Sequence, residues 1–167
     1  MNQTAVDKEV FKAGMSQLAG AVNIVTTSGI AGKGGFTATA VCAVTDSPPT
    51  LLVCINNQNE LAMVIKENKV FAVNILSANM EQLANRFAGM DGVSMEERLS
   101  IGDWRNLTTG SPTLQESIAC FDCELINSVI SGTHSVLFGK IVDAKVNLGD
   151  NPLLYYNRNY GTIEISD

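Results

Sequence analysis

The chain's candidate chemistry gathers where its side chains are smallest. In the run Gly35-Phe36-Thr37-Ala38-Thr39-Ala40-Val41-Cys42-Ala43-Val44-Thr45, an extended backbone puts Phe36, Ala38, Ala40, Cys42 and Val44 on one face and Thr37, Thr39, Val41, Ala43 and Thr45 on the other. One face is then purely apolar, and the other is small and hydroxyl-bearing. So little bulk suits a flat molecule that approaches the backbone closely and hydrogen-bonds to it. The plainer reading is a thin edge strand. A polar turn, Asn57-Gln58-Asn59, precedes Leu61, Ala62, Val64 and Ile65 at helical spacing, which places Asn57 or Asn59 to cap a helix whose first amides point into the turn. His134 is the single histidine and enters a strand after Gly132-Thr133; a lone histidine is commonly structural. Cys42, Cys54, Cys120 and Cys123 lie in apolar, strand-like runs. Cys120 and Cys123 fall on opposite faces of an extended segment, and no second CxxC accompanies them, so buried reduced thiols and no metal site are expected.

The elements that must position these groups follow from periodicity. Residues 9–18 place Val10, Phe11, Gly14, Met15 and Leu18 at helical spacing behind Asp7, a candidate cap. Residues 21–27 read as a β-branched strand that turns through Ser28-Gly29 and 32–35 into the small-residue run. Pro48-Pro49 should stop pairing, and 51–56, apolar without alternation, should form a strand covered on both sides. A strand at 70–75 is followed by a helix capped by Ser77, with Met80, Leu83, Ala84 and Phe87 as its core stripe. Residues 89–111 form the longest irregular segment, packing over a groove or a partner or turned to solvent. Alternation returns at 117–126. A long strand follows with Val136, Phe138, Lys140, Val142, Ala144 and Val146 on one face, and 162–165 could close the sheet. Seven or eight strands with three short helices, broken by Gly and Pro turns, point to a mainly β fold, a small closed barrel with added helices.

Composition narrows the class. The 167 residues form one expected domain, 1–167, 46% hydrophobic and 17% charged, which excludes a disordered chain. A net charge of −6 with scattered Lys and Arg disfavours nucleic acid. No apolar run is long enough to span a membrane, and the start Met1-Asn2-Gln3-Thr4 lacks the features of a secretory signal, so a cytoplasmic protein is expected.

The stretches at 11–15, 21–27, 35–44, 48–56 and 71–76, followed by Arg86-Phe87-Ala88-Gly89, Gly132-Thr133-His134 and 155–160, occur in this order over nearly the whole chain. Together they resemble the flavin reductase family with the FMN-binding split-barrel fold, the small NAD(P)H-dependent components that feed reduced flavin to separate monooxygenases. The resemblance implies a split β-barrel and an NAD(P)H:flavin oxidoreductase using FMN or FAD, with NADH or NADPH as hydride donor and a monooxygenase as recipient. The alternative is a flavin-binding protein without turnover. By the same resemblance the flavin ring is contacted, largely through backbone, by Thr37, Ala38, Thr39, Ala40 and Val41. The phosphate and ribityl end falls to Cys54, Ile55, Asn56, Asn57 and Asn59, where a helix N-terminus offers amides and a positive dipole. Relatives commonly carry serine where Asn59 stands and often a basic residue at Asn57. A second flavin-contacting run falls on Arg86, Phe87 and Ala88, with Arg86 as a phosphate partner. His134 matches a residue on the nicotinamide side, a positioning group because hydride passes directly between stacked rings. Arg158 and Tyr160 match positions along the nucleotide, although many relatives carry histidine where Gly161 stands. A two-fold homodimer with flavin near its interface is implied as well, with 89–111 covering either the flavin or that interface.

Overall fold

The computed structural model describes residues 6–163. In chain order the elements are α1 (Lys8–Met15), β1 (Gly20–Ala21), β2 (Asn23–Gly29), β3 (Gly32–Ala38), β4 (Val41–Asp46), β5 (Pro49–Asn56), α2 (Leu61–Asn68), β6 (Val70–Ile75), α3 (Glu81–Phe87), α4 (Met95–Leu99), β7 (Trp104–Asn106), β8 (Pro112–Leu114), β9 (Ala119–Ser131), β10 (His134–Val146), β11 (Leu154–Tyr156) and β12 (Asn159–Gly161). Asp7 opens α1 as expected, its carboxylate accepting the amides of Glu9 and Val10.

Seven strands make one sheet in the order β3-β2-β6-β9-β10-β5-β4, every pairing antiparallel. The small-residue run is therefore not one strand. Its halves are the two opposite edges of the sheet, β3 and β4, joined only by Thr39 and Ala40. A flat sheet of seven strands would hold its edges roughly 29 Å apart. The step from Ala38 to Val41 spans at most about 11 Å, so the sheet has to roll until its edges meet. No ladder links the two edges, and the closed barrel expected from periodicity is instead a split β-barrel, its seam left open at this joint.

The roll encloses one core of Val25, Phe36, Val53, Ile65, Phe71 and Leu137 with their neighbours. A second core, with Ile24, Leu76, Ala84, Phe87, Leu114 and Leu153, lies under α3. Gly35 sits where the second core meets β3: a Cβ there would stand 2.8 Å from Cε1 of Phe87, so only glycine lets α3 close on the strand.

Several local expectations are corrected. Asp46 pairs with Pro49, so the Pro48-Pro49 segment turns β4 back into β5 rather than ending pairing. Along the 51–56 stretch of β5 Leu51, Val53 and Ile55 are buried, while Leu52 and Cys54 are half-covered, so one face of this strand is open. Ser77 caps no helix; its hydroxyl donates to Asn79 Oδ1, and α3 starts at Glu81 behind Met80. Among the thiols Cys120 and Cys123 are buried, but Cys42 is exposed and Cys54 half-buried. On β10 the core face is Ser135, Leu137 and Gly139, with Val136 and Phe138 half-buried on the other side. The expected closing strand at 162–165 lies partly outside the described residues, and Thr162 and Ile163 belong to no strand.

Residues 89–111 are ordered on the chain's own second core. α4 opens on a capping box in which Ser94 Oγ accepts from Glu97 N while the Glu97 carboxylate accepts from Ser94 N. Met95, Leu99 and Trp104 pack on that core, the indole 5.6 Å from the Phe87 ring centroid. The segment's end is tied to β9 and β10: Thr109 donates from both its amide and its hydroxyl to the buried Asp122, and the Thr108 hydroxyl donates to Asp143. Burial raises the Asp122 pKa, against the opposing effect of the Thr109 hydrogen bonds. Among the described residues, no helix is long and apolar enough to cross a membrane.

Candidate functional site

The crossing from β3 to β4 is made by a tight turn in which Val41 N donates to Thr39 O at 3.0 Å, a three-residue γ-turn, and Cys54 N donates to Ala40 O at 3.0 Å. Neither the Thr39 nor the Ala40 amide donates a hydrogen bond among the described residues, and both residues are exposed. Two clefts meet here. The first, about 900 Å³, lies between α1 and the open face of β4 and β5, with Phe11, Met15, Ala40, Cys42, Leu52 and Cys54 in its wall. The second, about 510 Å³, is lined by Thr37, Ala38, Asn85, Ala88 and Tyr160. Thr39, Tyr155 and Arg158 belong to both. The joint thus offers two unpaired N–H donors beside small side chains and an apolar wall, which fits a planar, heteroaromatic molecule with a polar edge.

The walls are fixed by hydrogen bonds from distant parts of the chain. β11 and β12 turn through Asn157 and Arg158, both left-handed at φ 47° and 64°, the backbone of a two-residue hairpin turn. That tip is latched to the exit of α1: Asn157 N donates to Ser16 O at 2.7 Å, Gln17 Nε2 to Asn157 Oδ1 at 3.1 Å, and Tyr156 Oη to Gln17 Oε1 at 3.0 Å. Arg158 is exposed and makes no ion pair among the described residues. Tyr160 is anchored by its hydroxyl, which donates to Asn85 Oδ1 at 3.0 Å, and its pKa is raised by burial and by the nearby Tyr155 and Glu81. The Thr37 hydroxyl donates to Ala84 O at 2.6 Å, holding the end of β3 against α3.

A separate polar cluster lies at the far end of β5, where Asn56 pairs with His134 on β10. Cys54 precedes Asn56 by two residues, about 7 Å along the strand. Three asparagines there use their oxygens internally: Asn56 Oδ1 accepts from Gln58 N at 2.9 Å, Asn59 Oδ1 from Leu61 N at 3.1 Å, and Asn57 Oδ1 from Ser135 Oγ at 2.6 Å. The Ser135 hydroxyl in turn accepts from Lys66 Nζ at 2.8 Å. Their Nδ2 groups make no hydrogen bond among the described residues, which leaves them as donors in a cluster that also holds Lys66. His134 is exposed, its Nδ1 2.9 Å from the Thr133 hydroxyl.

The structure therefore brings Thr37, Ala38, Thr39, Ala40, Val41, Cys54, Ala88, Arg158 and Tyr160 to the two clefts, and Asn56, Asn57, Asn59 and His134 to the polar end of β5. It separates the others. Ile55 and Phe87 are core side chains, 2% and 1% exposed, with no side-chain surface to offer a ligand. Arg86 pairs with Asp91 at 3.2 Å and lines a third depression with Met90 and Ile101, whereas Ala88 lines the second cleft. Sequence reasoning placed Phe11 and Met15 at helical spacing without giving them to a site, and the helix in fact buries none of its side chains. The same reasoning missed Leu52, which an alternating reading of β5 would have placed beside Cys54.

The family model described as "Flavin reductase like domain" matches residues 15–164. The FMN reductase (NADH) RutF of Acinetobacter baylyi is 46% identical over 155 residues, covering 93% of this chain and 81% of that protein. Among solved structures, a chain from Haemophilus somnus superposes with a TM-score of 0.90 at 49% identity, covering 95% of this chain and 100% of its own. A nitrilotriacetate monooxygenase component B homologue from Mycobacterium thermoresistibile gives a TM-score of 0.85 at 29% identity, over 95% of this chain and 87% of that one.

Proposed function

This chain belongs to the flavin reductase family, and from that premise we propose that it is an NADH-dependent FMN reductase whose flavin ring lies across the joint between β3 and β4. The observation that carries the reading is the pair of amides at Thr39 and Ala40, unpaired among the described residues and set where two clefts meet beside the small side chains of Thr37, Ala38, Thr39 and Ala40. Flavin, when bound, supplies the acceptor for a hydride from the nicotinamide; the protein's part is placement. The two amides hold the polar edge of the ring, and Phe11, Met15 and Leu52 cover its apolar end and exclude water. Arg158, free of acidic partners among the described residues and latched through its neighbour Asn157 to α1, holds the phosphates of the nucleotide. The side-chain amides of Asn56, Asn57 and Asn59 take the flavin phosphate, supported by Lys66 through Ser135. His134, at the end of the β5–β10 ladder, positions the nicotinamide. Two copies of the chain pair through the exposed apolar side of α1, where Val10, Phe11 and Met15 are 61%, 56% and 48% exposed. The recipient of reduced flavin is a separate monooxygenase, as the similarity to a monooxygenase component B suggests.

Anaerobic stopped-flow tests the reading. Mixing the protein and FMN with NADH bleaches the oxidised-flavin band in a saturable phase, faster than with NADPH, and His134→Ala slows that phase more than it weakens FMN binding. Binding of FMN without bleaching by either nucleotide would leave a flavin carrier rather than a reductase.

A further inference from the structure

We propose that Cys42 and Cys54 form a two-thiolate site for a soft, closed-shell Cu(I) ion, set in the first cleft on the surface that the proposed function gives to the flavin ring. The two residues stand on neighbouring antiparallel strands. Cys42 pairs with Leu52, and Cys54 lies two residues further along β5, so both side chains project from the same face as a diagonal pair. Both are free thiols, and both line the same cleft.

Spacing decides what such a pair can bind. Diagonal neighbours lie about 7–8 Å apart at Cα and somewhat closer at Cβ, whereas a disulfide needs Cβ atoms about 3.5–4.5 Å apart. A bridging metal holds its sulfurs at the ends of two bonds of about 2.3 Å, so it spans the diagonal that a direct S–S bond does not. The edge strand gives the remaining freedom: β4 pairs on one side only, its residues from Cys42 to Asp46 are exposed, and its register slips after Ala43. Met15 lines the same cleft and offers a thioether for a third position, and a thiolate–thioether set selects Cu(I) over harder ions. Burial, and secondarily Cys42, raise the Cys54 thiol above its usual range. Binding follows Cu(I) + 2 RSH → Cu(SR)₂⁻ + 2 H⁺, so it releases protons and tightens as pH rises.

Anaerobic titration of the full-length, flavin-free protein against a chromophoric Cu(I) chelator tests this. One Cu(I) binds per chain, Cys42→Ser and Cys54→Ser each weaken binding by at least about a hundredfold, Met15→Leu weakens it less, and Cys120→Ser leaves it unchanged. FMN competes with the ion. Unchanged affinity in Cys42→Ser, or loss of affinity in Cys120→Ser, would overturn the site. Thiol-dependent binding without competition by FMN would support the site and remove the flavin from this cleft, so the two readings fail separately.

Discussion

β3 and β4 are halves of one small-residue run and differ in almost everything except composition. Gly34, Gly35, Phe36 and Ala38 are buried beneath α2 and α3, whereas Cys42, Ala43, Val44 and Thr45 are exposed. The first half is thin because helices press on it: Gly35 leaves room for the Phe87 ring. The second half is thin although no described helix is packed on it and its residues from Cys42 to Asp46 are exposed. Small residues under a helix report packing, and small residues on an open edge report a surface left for another molecule. That contrast is the physical basis for placing a ligand at the joint and along β4 instead of along the whole run.

The contrast can be broken at several strengths. Phe87→Ala should lose about 3–5 kcal/mol in urea unfolding, as a buried aromatic does, with FMN affinity in the surviving folded fraction near that of the parent; the opposite split would make Phe87 a ligand contact after all. Gly35→Val should lose about 1–3 kcal/mol by overpacking, while Ala43→Val on the exposed half stays within about 0.5 kcal/mol; equal losses would erase the difference between the halves. Ala40→Leu leaves the melting temperature unchanged and weakens FMN binding at least about tenfold, roughly 1.4 kcal/mol, by filling the joint. Ser135→Ala removes the bond that fixes the Asn57 amide, and fluorescence titration should show FMN weakened by about fivefold, near 1 kcal/mol, with riboflavin, which lacks the phosphate, unaffected. Arg86→Ala, breaking a half-exposed pair with Asp91, should change stability by no more than about 1 kcal/mol and leave FMN binding alone.

Much of the architecture was legible because it rests on local patterns. The β-branched run before Gly29, the apolar 51–56 stretch and the Asp7 cap became elements close to where periodicity put them. The joint was not legible. Thr39-Ala40 carries no glycine, proline or asparagine, so nothing in its composition announces a turn, and alternation runs through it unbroken. What ends the strand there is tertiary: the sheet rolls, and the run changes partners from β2 to β5. Phe87 shows the legible side of α3: its place in the core stripe followed from spacing, while the position of Ala88 on a cleft depends on the fold. The helix in 89–111 was hidden by its five-residue length, though Ser94 and Glu97 already held a capping-box spacing. Asn57 and Asn59 could be read as cap candidates, but the lysine and serine behind Asn57 come from α2 and β10, and only the fold brings them together.

The hairpin loop at Gly29–Gly32 and the crossing at Thr39–Ala40 are both short, yet they differ in what hangs from them. Extra residues spliced into the first would bulge into solvent and leave β2 paired with β3. Extra residues in the second would lengthen the sole covalent strap across the seam, letting the two margins of the roll drift apart while every ladder stays paired. The molecule would then keep its spectroscopic signature of β-structure and lose its groove, so tolerance to insertion, scanned along the chain, should dip sharply at this one peptide.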